Sequence, residues 1–396
     1  MIKAREIYKH FKSDPRQCFE DIQEALRRGL EGKPGGLKPD EFSIRDLAAY
    51  FVMVDGEPLG HDMVEVWASG RLVESDVVSS SAFAAITQRV VYAAVLEGYQ
   101  LPDTPLSRLV RVVQARSRDN RIPSFTLPLA DGKSLEYEEG VDKPAVGMAT
   151  EYAKSLPIKK RGACINITRE TVLFDETGQV LDAARRVGEM IALEKERVLT
   201  QFVAGLVSNC VIEKRKTDSS EATSNLFLTT GRWVNQQANP LADWTDIDDA
   251  ENLFLSNTLP GTNLPPMLSS RFILVPPQLR TTANRILNAT EVRTGTSNVV
   301  ASANPLANMG IQPVVSTLLY SEQVAAGVSQ ATAAGTWFYG DLLQAFRYVQ
   351  AWPLEVTETR DSASQRRADI LVQFDASESG IPMVVEPRVW AKNTPS

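Results

Sequence analysis

The sequence predicts an α+β fold, and three stretches predict it. A short strand, GACINIT (162–168), leads into an unusually long helical stretch, QVLDAARRVGEMIALEKERVLTQFVAG (179–205). A mixed α/β stretch follows over 207–335, and the segment 336–396 reads as strands.

Each element has its own signal. Residues 1–30 read as charged helix with an intermittent apolar stripe of Ile7, Phe11, Phe19, Ile22 and Leu26, broken at Asp14-Pro15. EGKPGGLKPD (31–40) is a linker by its Gly and Pro content. Ser43 is a fair N-cap for a short helix through FSIRDLAAYFV. In the helix 79–100, Phe83, Ile86, Val90 and Ala94 lie on one stripe, with Thr87, Val91 and Val95 beside it. A stripe that broad predicts burial on two sides.

Residues 121–160 change character. They are polar and turn-rich, with prolines at 123, 128 and 144 and few core residues. A loop this long with little to bury predicts either a disordered loop or an extended hairpin that rests on another subunit. In the strand that follows, Ala163, Ile165 and Ile167 share one face. In the long helix, Val180, Ala184, Val187, Ile191, Val198 and Phe202 mark one stripe. At 1.5 Å rise its length is roughly 40 Å, well beyond the usual helix. Farther on, IDDAENLFL (247–255) reads as helix, RFILVPPQLRTTANRIL (271–287) as strand, break and helix, and IQPVVSTLLY (311–320) as strand. The end reads as separate strands TWFYGDL, FRYVQAW, PLEVTETR, ADILVQFDAS and PMVVEPRVWAKN.

Composition narrows the function. The chain has 396 residues, 43% hydrophobic and 23% charged, which is a globular composition large enough for two or three compact units. No apolar run is long enough for a membrane span, and the first 30 residues have no signal-peptide core. A net charge of -7 argues against general nucleic-acid binding. Cys18, Cys164 and Cys210 are far apart and predict reduced, mostly buried thiols. With only His10 and His61, and no zinc-protease, phosphate-loop or dinucleotide motif, no catalytic arrangement stands out. The acidic pairs Glu138-Glu139 and Asp248-Asp249 read as solvated surface. The expectation is a structural subunit with no metal or cofactor, not an enzyme. A cytosolic α/β enzyme remains an alternative, with Asp246, Asp248 and Asp249 as the residues to test.

Four passages carry a family resemblance. They are AITQRVVYAAVLEGYQ (85–100), the junction 137–180 containing INITRETVLFDETG, RFILVPPQLRTTANRIL, and the closing stretch 337–388. Their order resembles the major capsid protein of tailed bacteriophages, with the Hong Kong 97-like fold shared with encapsulins. The resemblance implies an N-terminal arm or extension (1–78), a helix and connecting segment (79–126), an E-loop (127–161), a P-domain strand and spine helix (162–206), an A-domain (207–335) and closing P-domain strands (336–396).

The resemblance also implies a function. The subunit would self-assemble into pentamers and hexamers of an icosahedral head that encloses double-stranded DNA without specific binding. Scaffolding, portal and decoration proteins are implied partners, with assembly in the host cytoplasm and a final place in the virion. Contacts between subunits would fall on the E-loop charges Glu136, Glu138, Glu139, Lys143, Glu151, Lys154, Lys159 and Lys160. Some relatives crosslink an E-loop lysine to a P-domain asparagine, though most do not; the pairing the resemblance would imply here is Lys154, Lys159 or Lys160 with Asn393, and no motif selects among them. An encapsulin-like compartment shell is the alternative, though the long stretch before residue 80 departs from it.

Overall fold

The computed structural model describes residues 4–54, 57–61, 64, 77–79, 81–116, 120–123, 139, 151–174, 176–214, 220–259, 264–294, 300–359 and 370–395. The fold is α+β, and the chain forms two compact units, each built from three separate stretches.

The first unit comprises 1–103, 160–193 and 352–379. Its N-terminal helices, Ala4–Ser13 and Pro15–Leu30, meet at Asp14. The Asp14 carboxylate accepts from the backbone N–H of Arg16 and Gln17, and Pro15 occupies the first helical position, where its missing N–H costs nothing. Ser43 caps the helix Ile44–Phe51, its Oγ accepting from Asp46 N at 3.2 Å. These helices are not a loose extension. Ile7, Cys18, Ile22, Leu26, Leu47 and Phe51 are all buried in the unit's core, and Phe11 sets its ring edge against Phe19 and Phe51.

The helix Ser81–Gln100 packs beside the long helix Thr177–Val203 through paired glycines. A Cβ on Gly98 would lie 1.9 Å from the Arg185 carbonyl oxygen, and one on Gly188 would lie 2.0 Å from that of Val95. Only glycine permits that approach. Ile86, Thr87, Val90, Val91, Ala94 and Val95 are all buried, as a two-sided stripe requires. Arg185 binds three carboxylates: Asp40 at 2.7 Å, Glu97 at 3.0 Å and Asp182 at 3.0 Å. Asp40 belongs to the Pro- and Gly-rich linker, so this ion-pair hub ties the linker to both helices. The strand Lys159–Thr168 buries Ile165 and Ile167 as expected, while Ala163 and Cys164 are exposed. Cys164 therefore differs from the expected buried thiol; Cys18 and Cys210 are buried.

The second unit comprises 104–159, 194–351 and 380–396. Its centre is a five-stranded mixed sheet in the order 236–238, 390–394, 337–340, 272–275, 312–315. Two of the three inner strands, Phe272–Val275 and Trp337–Gly340, are buried throughout. Burial on both faces explains their continuous apolar runs. The period of two sorts their side chains onto opposite faces. Phe272, Leu274, Phe338 and Trp390 join Leu199, Phe202 and Val203 from the end of the long helix. Ile273, Val275, Trp337, Tyr339 and Ala391 join the helices Trp244–Leu255 and Arg280–Asn288. Both indoles on this sheet find a partner: Trp390 Nε1 donates to Val203 O and Trp337 Nε1 to Asn239 O.

Three expectations change. Only Gln312–Val315 of 311–320 is strand, and Thr317–Ala325 is helix. The β-branched run ends at Val315, and Leu319, Glu322 and Gln323 then bury at helical spacing. FRYVQAW and PLEVTETR form one strand, Phe346–Thr359. Pro353 lies beyond Gln350, the last residue in register with the neighbouring strand 111–114, so its missing N–H interrupts no bond of that ladder. The last two stretches likewise merge through Gly380 and Pro382 into Ile370–Val384. The long helix supplies residues to both units, and 4–54 belongs to the first.

Candidate subunit-contact surface

Residues 124–151 connect two strands of one sheet in the second unit. Arg121–Pro123 pairs antiparallel with Tyr152–Lys154, with Arg121 opposite Lys154 and Ile122 opposite Ala153. Tyr152–Lys154 pairs in turn with Val211–Lys214, and that strand with Ala222–Ser224. This sheet is the stem of the expected arm.

Burial alternates along the stem with the strand period. Glu151, Ala153 and Ser155 are buried, whereas Tyr152 and Lys154 are half-buried. The outer face brings two cations, Arg121 and Lys154, side by side, which is unfavourable alone. Glu221 compensates. Its carboxylate lies 3.5 Å from Lys154 Nζ and 3.8 Å from Arg121 Nη2, and accepts from Tyr152 Oη at 2.7 Å. The Arg121 guanidinium sits over the Tyr152 ring, 4.6 Å from its centroid. The Tyr152 hydrogen bond holds the Glu221 carboxyl below its ordinary pKa; burial opposes this and Lys154 and Arg121 assist. The same bond raises the Tyr152 phenol.

The expected contact residues divide. Glu136, Glu138 and Lys143 lie outside the described residues, and Glu139 is exposed. Lys154 is engaged by Glu221 within the chain. Lys159 and Lys160 are exposed, and Lys160 Nζ lies 5.2 Å from the Trp352 ring centroid. Glu151 differs from the expected exposed acid. It is 3% accessible, because it shares the inward face of the strand with Ala153. Asn393 is fully buried, its Oδ1 accepting from Gln237 and Asn239, so it offers no surface to a lysine of another copy. Glu221 escaped the sequence reading because it lies 67 residues from Lys154 and no local spacing marks it.

A second exposed feature adjoins the stem in sequence. The strand Arg111–Gln114 pairs in parallel with Arg347–Gln350 and forms the edge of its sheet. Arg108, Arg111 and Arg116 are exposed, and Val112 is 46% accessible. Arg111 stands in register with the buried Arg347, whose pKa is lowered by burial first and by Arg111 second, with Asp341 opposing.

Two of the three aspartates weighed for chemistry have local roles. Asp246 accepts from Ala242 N and Asp243 N at the start of its own helix, and Asp248 accepts from Asn252 Nδ2. Among the described residues there is no group of His, Cys, Asp or Glu that could hold a metal ion, and no helix long and apolar enough to cross a membrane.

Comparison with known proteins agrees with a structural role. A search of curated proteins finds no match. Among solved structures, the chain is similar to Gordonia phage Cozz (14% identity, 82% of this chain and 98% of that one, TM-score 0.44). It is also similar to a virus-like particle from Pyrococcus furiosus (12% identity, 76% and 97%, TM-score 0.39) and to the holo-SrpI encapsulin complex from Synechococcus elongatus PCC 7942 (12% identity, 74% and 88%, TM-score 0.39). The assignment stands on sequence. Residues 151–393 match the family described as phage capsid protein, more than half the chain. The chain therefore belongs to the phage capsid protein family and is a subunit of a capsid shell.

Proposed function

We propose that the chain builds an icosahedral phage head of Hong Kong 97-like subunits, associating into pentamers and hexamers around double-stranded DNA. The family match over 151–393 carries this reading. The stem supports the arm's part in it. Two paired strands, fixed on their outer face by Glu221, hold the two ends of the 124–151 segment side by side. The arm then lies on a neighbouring subunit. Exposed ion pairs are worth only ~0–1 kcal/mol each, so holding comes from repetition around a closed ring. The subunit is a building element and not an enzyme. It is made in the host cytoplasm, with scaffolding, portal and decoration proteins as its other partners.

Size-exclusion chromatography and negative-stain microscopy of the full chain test this. Hollow particles, or rings of five and six, are the expected result. A stable monomer, even when scaffold and portal are supplied, overturns it.

A further inference from the structure

The second unit carries two neighbouring helices of opposite charge. Residues 233–251 hold five acids, Asp243, Asp246, Asp248, Asp249 and Glu251, and no Lys or Arg. Residues 252–290 hold three arginines, Arg271, Arg280 and Arg285, and no Asp or Glu. Part of this charge is matched within the chain. Glu251 pairs with Arg271 at 2.7 Å, and Asp243 and Asp246 form the capping box of their own helix. Among the described residues Asp248, Asp249, Arg280 and Arg285 form no ion pair, and all four are exposed. The neighbouring stretches outside the described residues, 260–263 and 295–299, hold no charged residue.

Helix direction sets the two signs on opposite borders. Both helices cover the same face of the five-stranded sheet. Trp244–Leu255 lies against 337–340 and 390–394, and Arg280–Asn288 against the edge strand 312–315. Glu251 reaches Tyr339 and Arg271, so its side of the helix looks toward the strand 272–275. At 3.6 residues per turn Asp249 points about 160° away from it, toward the border at 236–238. Arg285 Nη2 donates to Ala242 O at 3.1 Å, so its side looks toward the acidic helix. Arg280 lies about 140° around its helix from Arg285, on the side of the border at 312–315. Leu253 shares the side of Asp249 and Leu287 that of Arg280, and both leucines are half-buried.

The two flanks point away from each other, so they do not meet within one chain. They do match across two chains, since each sets one charge beside a partly covered leucine and the signs are opposite. An isologous contact would put Asp249 on Asp249 or Arg280 on Arg280, which like charge disfavours. A head-to-tail contact joins unlike flanks, and such contacts generate rings when the rotation closes.

We propose that the Asp249–Leu253 flank of one copy docks on the Arg280–Leu287 flank of the next, head to tail around a ring. This rests on the ring assembly given under Proposed function and names a contact that joins its members.

Crosslinking in the full-length chain tests it. Asp249→Cys and Arg280→Cys are made singly and together in a Cys164→Ser background, and the assembled particles are treated with a short bis-maleimide. The paired variant is expected to give a denaturing-gel ladder that ends at five and six copies, and each single variant monomer alone. Charge reversal is the second arm. D249R and R280E are each expected to cut shell yield roughly tenfold, and their combination to restore it to within about threefold of wild type, since one weak contact is repeated around each ring. Melts of the unassembled subunit are expected to stay unchanged, because both side chains are exposed.

Other outcomes overturn the proposal. Wild-type shells beside a paired variant without a ladder remove the contact and leave the ring standing. Linked dimers from a single variant make the contact isologous. Full yield from both reversals, loss without rescue in the combination, or loss that follows a lowered melt each remove it as well. Should the cysteine pair not assemble, the reversals decide alone. A wild-type chain that forms neither shells nor rings overturns the ring reading itself, and the contact with it.

Discussion

The N-terminal helices place Ile7, Cys18, Ile22, Leu26, Leu47 and Phe51 in the core of the first unit. The stem of the arm places Ala153 in the core of the second, and keeps Arg121, Tyr152, Lys154 and Glu221 on its surface. Both regions are rich in charge and flanked by Gly or Pro. They differ in spacing. The helical segment repeats apolar residues at three- and four-residue intervals, so one side of each helix is committed to the interior. The stem offers one short buried face and an outer face joined by ions. Charge density is thus a poor guide to whether a segment belongs to a core, and apolar period is a good one.

Four substitutions probe that contrast. Leu47→Ala removes a side chain that is 1% accessible, and is expected to lower unfolding free energy by about 2–5 kcal/mol in urea titration. A near-neutral result would make the N-terminal segment an appendage after all. Gly188→Ala gains about 1 kcal/mol of helix propensity. Its Cβ would meet the Val95 carbonyl at 2.0 Å, so a net loss of about 1–2 kcal/mol in the same titration is expected from overpacking. A gain in stability would mean that the two helices can separate freely.

Arg185→Met removes the hub shared by Asp40, Glu97 and Asp182. An expected loss of about 1–2 kcal/mol, shrinking as salt is added, would appear in melts at two ionic strengths. The smallest effect belongs to the stem. Glu221→Gln is expected to change global stability by only ~0–1 kcal/mol while speeding hydrogen exchange at Ile122 and Ala153. Its pH dependence has a definite sign. The folded-state pKa of Glu221 is lowered, so its contribution is present above the ordinary glutamate value of 4.5 and is lost as pH falls through the lower folded value. Wild-type protection at the stem, measured against the intrinsic exchange rate at each pH, should therefore fall on acidification, and that of the variant should not. Equal acid sensitivity in both would remove Glu221 as the clamp.

Much of the architecture was legible because it is periodic or capped. The break at Asp14-Pro15, the Ser43 cap, the two-sided helix 81–100 and the long helix all follow from local rules. The helix after Ser316 was missed because IQPVVS carries a strand signal up to its cap. The long closing strands were divided because Pro353 and Pro382 ordinarily end a strand, and only the register of the neighbouring strand explains why Pro353 does not. The contact surface was less legible. Lys154 was found by its charge, but its partner Glu221 is brought in by sheet pairing across 67 residues. Glu151 was misjudged because the strand that buries it is only three residues long and sits in a polar stretch.

Pro313 sits on the outermost strand of the five-stranded sheet, Gln312–Val315. A protein that must accumulate in many copies before it closes into a shell faces a solubility problem, since any bare strand can template stacking into amorphous aggregate. A ring with no N–H blunts that template, as do two exposed residues at its start. The edge strand Arg111–Gln114 carries no proline, and the exposed arginines in and beside it, Arg108, Arg111 and Arg116, repel their counterparts on an identical edge. These two edge strands are thus guarded differently, one by a missing N–H and the other by like charge.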